Sequence, residues 1–248
     1  MTLSTFDCIA AITAHSAGFA EATRGGNLDA RVEHCPDWSV ADLVWHLTEV
    51  HWFWATIVAE TPDTPPDQAR RPARRPDDEL VDAFVAGAAH LVEVLRGADQ
   101  SASCWTWAPW QQDVAFVTRH QVQEAAVHHW DAVNAAGDSL VLDPAVAADS
   151  VDEFLHFSVA SEHDQDDPPA GALDGALVLR ATDTGDAWTL TDSDRPGALH
   201  VERTAAGGPA VEATAADLLL WLYRRVPLDT SGVPDELLTR FTALTFTD

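Results

Sequence analysis

VAFVTRHQVQEAAVHHWDAVNAAG, residues 114–137, decides how this chain reads. Its residues recur at helical spacing, and Gly137 supplies the stop that a helix end favours. Within it Glu124 and His128 stand four apart, so on a helix they project from one face, one turn apart. His120 and Asp131 fall on the same stripe, and four polar side chains on a partly buried stripe need partners. A metal would satisfy them. His46, about eighty residues upstream, can complete a facial set of three nitrogen and oxygen donors. Such a set suits zinc and leaves room for a water or a substrate. Metal sites in helical bundles are commonly built this way, from inward side chains on facing helices.

The spacing around His46 predicts a second helix, opening after Pro36-Asp37-Trp38, with Ser39 and Asp42 forming a capping box. Leu43, His46, Val50, Phe53 and Ile57 form the stripe expected to face the core, which sets His46 inward and His51 on the other side. A first helix is expected from Thr5 to Thr23 and a third from Asp78 to Leu95. The intervening PDTPPDQARRPARRPDD carries five prolines, which exclude regular structure. Beyond Gly137 the pattern changes. A helix is expected over 144–160, then an acidic, proline-rich loop, EHDQDDPPAG. Short strand-like runs follow, ALVLRAT, AWTLTD, ALHVERT and AVEAT, separated by turn residues. Helices near Ala215–Arg225 and Pro234–Leu244 close the chain. The fold class is therefore α+β with two domains: a four-helix bundle over 1–140 and a small α+β domain over 141–248.

With 40 acidic residues against 14 basic ones, the net charge is −26. A nucleic-acid partner needs a basic footprint and an anionic membrane surface attracts basic segments, so both are disfavoured. All the basic residues are Arg, with no Lys, three Ile and two Asn, a bias expected of a GC-rich genome such as an actinobacterium's. The opening MTLSTFDCIAAITAHSAGF lacks a basic n-region and reads as an amphipathic helix. No apolar run approaches membrane-spanning length. Cys8, Cys35 and Cys104 show no C-x-x-C spacing, which points to a reduced cytoplasm.

Several residues carry two readings. Asp131, one turn beyond His128, is either the acceptor that fixes the imidazole tautomer or a solvated helix carboxylate. His120 is a fourth ligand, a pocket wall, or an exposed residue near the helix start. His129 points about 140° away from Glu124 and is excluded as a ligand. Arg70, Arg71, Arg74 and Arg75 either attract an anionic substrate or belong to a solvated loop. Cys35 and Cys104 lack a local activating pattern, and buried inert thiols are the default. The ten Trp read as core and pocket wall.

CPDWSVADLVWHL, residues 35–47, resembles the first metal-ligand signature of the mycothiol-dependent maleylpyruvate isomerase family, matching at Pro36, Trp38, Leu43, Val44, His46 and Leu47. EAAVHHWDAVNAAG, residues 124–137, resembles the second signature at Glu124, Val127, His128, Trp130, Asp131 and Gly137. ADLLLWLYRRVPLD, residues 216–229, is similar to the family's C-terminal helix and its Arg-containing turn, with Arg225 at the family's Arg. Asp37 and Arg224 stand where the family has Gly, and His129 where it has Arg. The resemblance implies a DinB-like bundle followed by a domain resembling sterol carrier proteins. It implies a divalent metal, usually zinc, at His46, Glu124 and His128, and mycothiol as cosubstrate.

In such an enzyme a thiolate would add to a cis double bond conjugated to a carbonyl, and rotation and elimination would give the trans product. In a transferase the thiol would stay on a small electrophile. Arg225 either pairs a carboxylate in bidentate fashion or favours a helix C-terminus. Two further readings stay open: a metal-dependent hydrolase that uses no mycothiol, and a non-catalytic binding protein with a structural metal.

Overall fold

Local capping sets each helix of the first half. In this computed structural model, which describes residues 2–158, 171–194 and 198–247, α1 spans Thr5–Thr23 with Ser4 accepting from the Asp7 N–H. α2 spans Val40–Glu60, and Ser39 and Asp42 form the expected capping box, each side chain bonding the other's backbone N–H. α3, Asp77–Gly97, opens after Pro76 with Asp77, Asp78 and Glu79 in its first turn, where carboxylates favour the helix dipole. α4, Val114–Ala135, is capped by Asp113, whose carboxylate accepts from the Phe116 N–H at 2.8 Å. Gly137 ends it with φ 81, a conformation that costs other residues strain.

These helices form one compact unit, Leu3–Leu142. α1 packs on α3 and α4, and α2 packs on the same two, which closes a four-helix ring. Phe19, Val44, Leu47, Leu80, Phe84 and Ala132 fill its centre. α4 runs antiparallel to α2, because His46 meets His128 while Trp54, further along α2, meets His120, earlier on α4.

The inward stripe of α2 matches the sequence expectation at Leu43 and Ile57, both fully buried, and differs between them. His51 is 2% exposed and lies against Phe84, whereas His46, Val50 and Phe53 are half-buried on the flank. The proline-rich connection also holds a short 3-10 turn, Gln68–Arg70. Its arginines are tied back to α2: Arg70 to Glu60, Arg71 to Glu49 and Arg74 to Asp42. The Arg74 guanidinium, then Ser39, hold the Asp42 carboxyl down at about 2.

The second compact unit begins at Asp143. α5, Pro144–Phe157, starts with Pro144 in its first turn, and Asp143 caps two N–H groups. Ser158 caps the end of α5, and residues 159–160 of the expected helix and most of EHDQDDPPAG lie outside the described residues. The strand-like runs become β1 (Ala176–Ala181), β2 (Ala187–Asp192), β3 (Leu199–Glu202) and β4 (Ala210–Ala213). Sheet order is β3-β2-β1-β4, with β1 antiparallel to β2 and parallel to β4. α6 (Ala215–Leu222) packs on α5, and α7 (Asp235–Leu244) follows. Trp188 is fully buried, and its indole N–H donates to Asp152 on α5 at 2.9 Å. The architecture is α+β, a helical first half and a small sheet in the second. No helix among the described residues is long and apolar enough to cross a membrane.

Candidate metal centre

α2 and α4 bring three donors together. His46 from α2 and Glu124 and His128 from α4 offer ligand atoms that all lie within 4.8 Å of one another. His128 Nε2 is 3.4 Å from Glu124 Oε2. A tetrahedral ion with bonds of about 2.0–2.1 Å holds its ligands at about this separation. The His46 and His128 rings meet edge to face, with centroids 5.1 Å apart.

The protonation chemistry suits a metal. His128 Nδ1 bonds Asp131 Oδ2 at 2.9 Å. A carboxylate only accepts, so the proton stays on Nδ1 and the Nε2 lone pair points at the cluster. Asp131 is 1% exposed, which removes its reading as a solvated carboxylate. His46 is kept neutral: burial, then the charges of His128, His51 and Arg71, push its pKa down to about 3. Its Nε2 is withdrawn from solvent and has no hydrogen-bond partner among the described residues. A buried nitrogen left without a partner costs free energy, and a divalent ion at the cluster would remove that cost. The residues fit a zinc-like ion on these grounds.

The surroundings shape the approach. Trp38 lies over both ligand rings, with centroids 4.7 Å from His46 and 6.3 Å from His128. Sequence reasoning counted Trp38 in a signature but gave it no place at the site. A cleft of about 260 Å³ adjoins His46, lined by Glu49, Val50, Phe53, Gln68 and Arg71. Three of the four loop arginines are therefore committed to α2 carboxylates.

The other candidates fall elsewhere. His120 is buried, stacks on Phe116, and lies between Trp54 and Trp107, which makes it an aromatic wall residue outside the donor group. His129 turns toward α1 and meets His15, Nδ1 to Nδ1, at 3.1 Å. Gly18 makes room for it, since a Cβ there would stand 2.3 Å from the His129 ring. Burial, then Asp113, push the Cys104 thiol up to about 11, so it is inert at neutral pH. No disulfide joins the three cysteines.

Arg225 belongs to the second unit and is 5% exposed. It follows Arg224, whose φ is 61, and its own N–H closes back on Leu220 O at 2.7 Å. This is the helix-ending arrangement in which Gly usually takes the left-handed position. Arg225 Nη1 donates to the Tyr223 carbonyl at 2.7 Å, a contact that fits the helix-end reading.

A family model described as the mycothiol maleylpyruvate isomerase N-terminal domain matches residues 9–133, which include His46, Glu124, His128 and Asp131. No curated protein matches the sequence. One similar solved structure is a crystal structure of the mycothiol-dependent maleylpyruvate isomerase, at 12% identity and a TM-score of 0.64, covering 95% of this chain and 98% of that one. A crystal structure of a histidine-to-alanine mutant of the mycothiol-dependent maleylpyruvate isomerase is similar over the same shares at 11% identity and 0.64. At these identities the likeness is one of fold.

Proposed function

Because the chain belongs to the mycothiol maleylpyruvate isomerase N-terminal domain family, we propose that it is a metal-dependent enzyme that uses mycothiol on a small, maleylpyruvate-like electrophile. The reaction is isomerisation or S-transfer. The observation that carries this reading is the convergence of His46, Glu124 and His128, with His46 Nε2 buried and unpartnered. A divalent ion held there, most simply zinc, would supply a Lewis-acid position at which a thiol loses its proton near neutral pH.

The protein's own groups do the rest. Asp131 favours, through the 2.9 Å bond, the His128 tautomer with its proton on Nδ1, which leaves the Nε2 lone pair for a ligand role. Trp38, over both imidazoles, excludes water from one side of the site and holds the rings in place. The half-buried flank of α2 leaves the cleft beside His46 as a place for the electrophile. Arg225 stands at the family's Arg, and its guanidinium is the second unit's candidate for pairing a carboxylate. Addition of a thiolate to the cis double bond would leave a single bond free to rotate. Expulsion of the same thiol would restore the double bond in trans, with no net change in atoms or electrons.

The test is metal analysis and turnover. Protein as isolated and its His46→Ala and His128→Ala variants are assayed for bound metal and for maleylpyruvate conversion, with and without mycothiol. One metal per chain in the parent, loss in both variants, and conversion only with mycothiol are expected. Full metal occupancy in both variants would reject the ligand set. Equal rates without thiol would move the assignment to a hydrolase that activates water.

A further inference from the structure

The cleft beside His46 has two walls. α2 gives one: His46, Glu49, Val50 and Phe53 recur at three and four residues, so they form a single stripe along its flank. The short turn at Gln68–Arg70 gives the other, with Gln68 and Arg71 lining the same cleft. The Arg71 N–H closes that turn on the Gln68 carbonyl at 3.1 Å. In a turn of this kind side chains three apart eclipse, so the Gln68 amide and the Arg71 guanidinium stand side by side. Both belong to the bundle unit, as do the three metal ligands.

Arg71 differs from its neighbours in how it is held. Its Nε and Nη2 donate to Glu49, one to each carboxylate oxygen. That side-on fork leaves Nη1 with no partner among the described residues, on a side chain that is 51% exposed. Glu49 is 15% exposed, the least exposed of the α2 carboxylates that hold the loop arginines. Arg70, tied to Glu60 through both Nη atoms, does not line the cleft. Gln68 is exposed, and its amide makes no hydrogen bond with a described residue.

The anchored guanidinium stands close to the metal ligands. Glu49 lies one turn from His46, about 4.5 Å along the helix axis. The Arg71 charge also bears on His46, among the causes that keep it neutral. A carboxylate bound at Arg71 Nη1 therefore sets the next few atoms of a short molecule beside His46.

We propose that Arg71 and Gln68 are the specificity-determining pair for the electrophile, and that Arg71 Nη1 and the Gln68 amide bind one carboxylate of a short unsaturated acid. This rests on the reading that the cleft takes the electrophile. Glu49 is a positioning residue: it holds one edge of the guanidinium, and the substrate carboxylate meets the other. Because Glu49 offsets the Arg71 charge at a distance, recognition comes from the hydrogen bonds donated at contact. One end of the substrate is then fixed while the other turns about the single bond that thiolate addition leaves. An ester cannot use the pair in this way, so the site selects acids.

Isothermal titration of the full chain as isolated with maleate, without thiol, tests the pair. Maleate should bind saturably, one per chain. Arg71→Gln should weaken it about ten- to a hundredfold, and Gln68→Ala about fivefold, with circular dichroism unchanged. Arg70→Gln removes the same charge from the same loop outside the cleft and should bind like the parent. The double variant Glu49→Gln with Arg71→Gln leaves no orphaned carboxylate to repel the ligand, and it should stay as weak as Arg71→Gln alone. Dimethyl maleate should bind the parent no better than maleate binds Arg71→Gln. Absence of saturable maleate binding, parent-like affinity in Arg71→Gln or Gln68→Ala, an equal loss in Arg70→Gln, recovery in the double variant, or equal binding of acid and ester would each overturn the proposal. Maleylpyruvate turnover, measured alongside with mycothiol, separates the two readings. Absent turnover with these binding results intact would reject the reaction and leave the carboxylate site standing; turnover with the KM for maleylpyruvate unchanged in Arg71→Gln would do the reverse.

Discussion

Replacing Asp131 by Asn is expected to weaken metal binding roughly ten- to a hundredfold without unfolding the bundle. The side chain is 1% exposed and its Oδ2 stands 2.9 Å from His128 Nδ1. A hydrogen bond to a charged acceptor contributes about 1.5–3 kcal/mol, and a neutral one about 0.5–1.5. Asn keeps the shape and loses the charge, so the difference is about 1–1.5 kcal/mol, or about tenfold in affinity. A further loss comes from the tautomer. Asn can turn its NH₂ toward the ring, which favours a proton on Nε2, the nitrogen that faces Glu124. Together these reach the ten- to hundredfold range usual for such partners, roughly 1.4–2.7 kcal/mol. The assay is competition with a chromogenic chelator at fixed pH for the parent, Asp131→Asn and Asp131→Ala, with circular dichroism as the fold control. Parent-like affinity in both variants would refute the argument that this carboxylate sets the ligand tautomer.

Arg224 holds φ 61 at the end of α6. Arg224→Gly is expected to raise stability by roughly 0.5–1 kcal/mol, the relieved strain less the added freedom of the unfolded chain. Urea denaturation checks this, and a loss of stability would mean that the Arg224 side chain contributes more than its backbone costs. His51 is fully buried, and burial pushes its pKa from 6.5 down to about 4. Above pH 6.5 it is neutral whether folded or not; between 6.5 and 4 only the unfolded chain takes up the proton, so stability falls as pH falls. The loss approaches about 3 kcal/mol by pH 4, with a slope of up to ~1.4 kcal/mol per pH unit. His51→Leu should flatten that part of the pH dependence in urea titrations at pH 7 and pH 5, and identical slopes in parent and variant would reject it.

The helices of the first half were legible because their ends are written locally. Ser39 with Asp42, Asp113 before Val114, and Gly137 after Ala136 each satisfy backbone groups that a helix end leaves open. The strands were legible from alternation and from the turns between them. The face of α2 was not. A helix in a four-helix ring packs on two neighbours, so its buried arc is wide and a single stripe can be drawn at either edge of it. The stripe through His46 and Phe53 lies on the flank toward α4, while the centre of the arc runs through Val44, Leu47 and His51. A histidine counts as polar in any periodicity reading, so His51, held neutral against Phe84, gave no apolar signal.

The same asymmetry explains why the metal cluster was readable when the core face was not. Glu124, His128 and Asp131 are costly to bury on one stripe of α4, and a chain keeps such a stripe only where the groups satisfy one another or a ligand. His128 is satisfied on one side by Asp131, and His46 on α2 retains a buried nitrogen with no protein partner. Had His46 stood at the centre of the ring, where Leu47 and Phe84 are, apolar side chains would surround it and a substrate would have no route in. At the flank it keeps a withdrawn Nε2 for a metal and still borders an open cleft. Placement at the margin of the bundle therefore serves both demands, a ligand protected from water and a coordination position that a small molecule can reach. What no spacing could supply is Trp38, which reaches both imidazoles only because the segment before α2 folds back through the Val32 and Trp38 backbone bond.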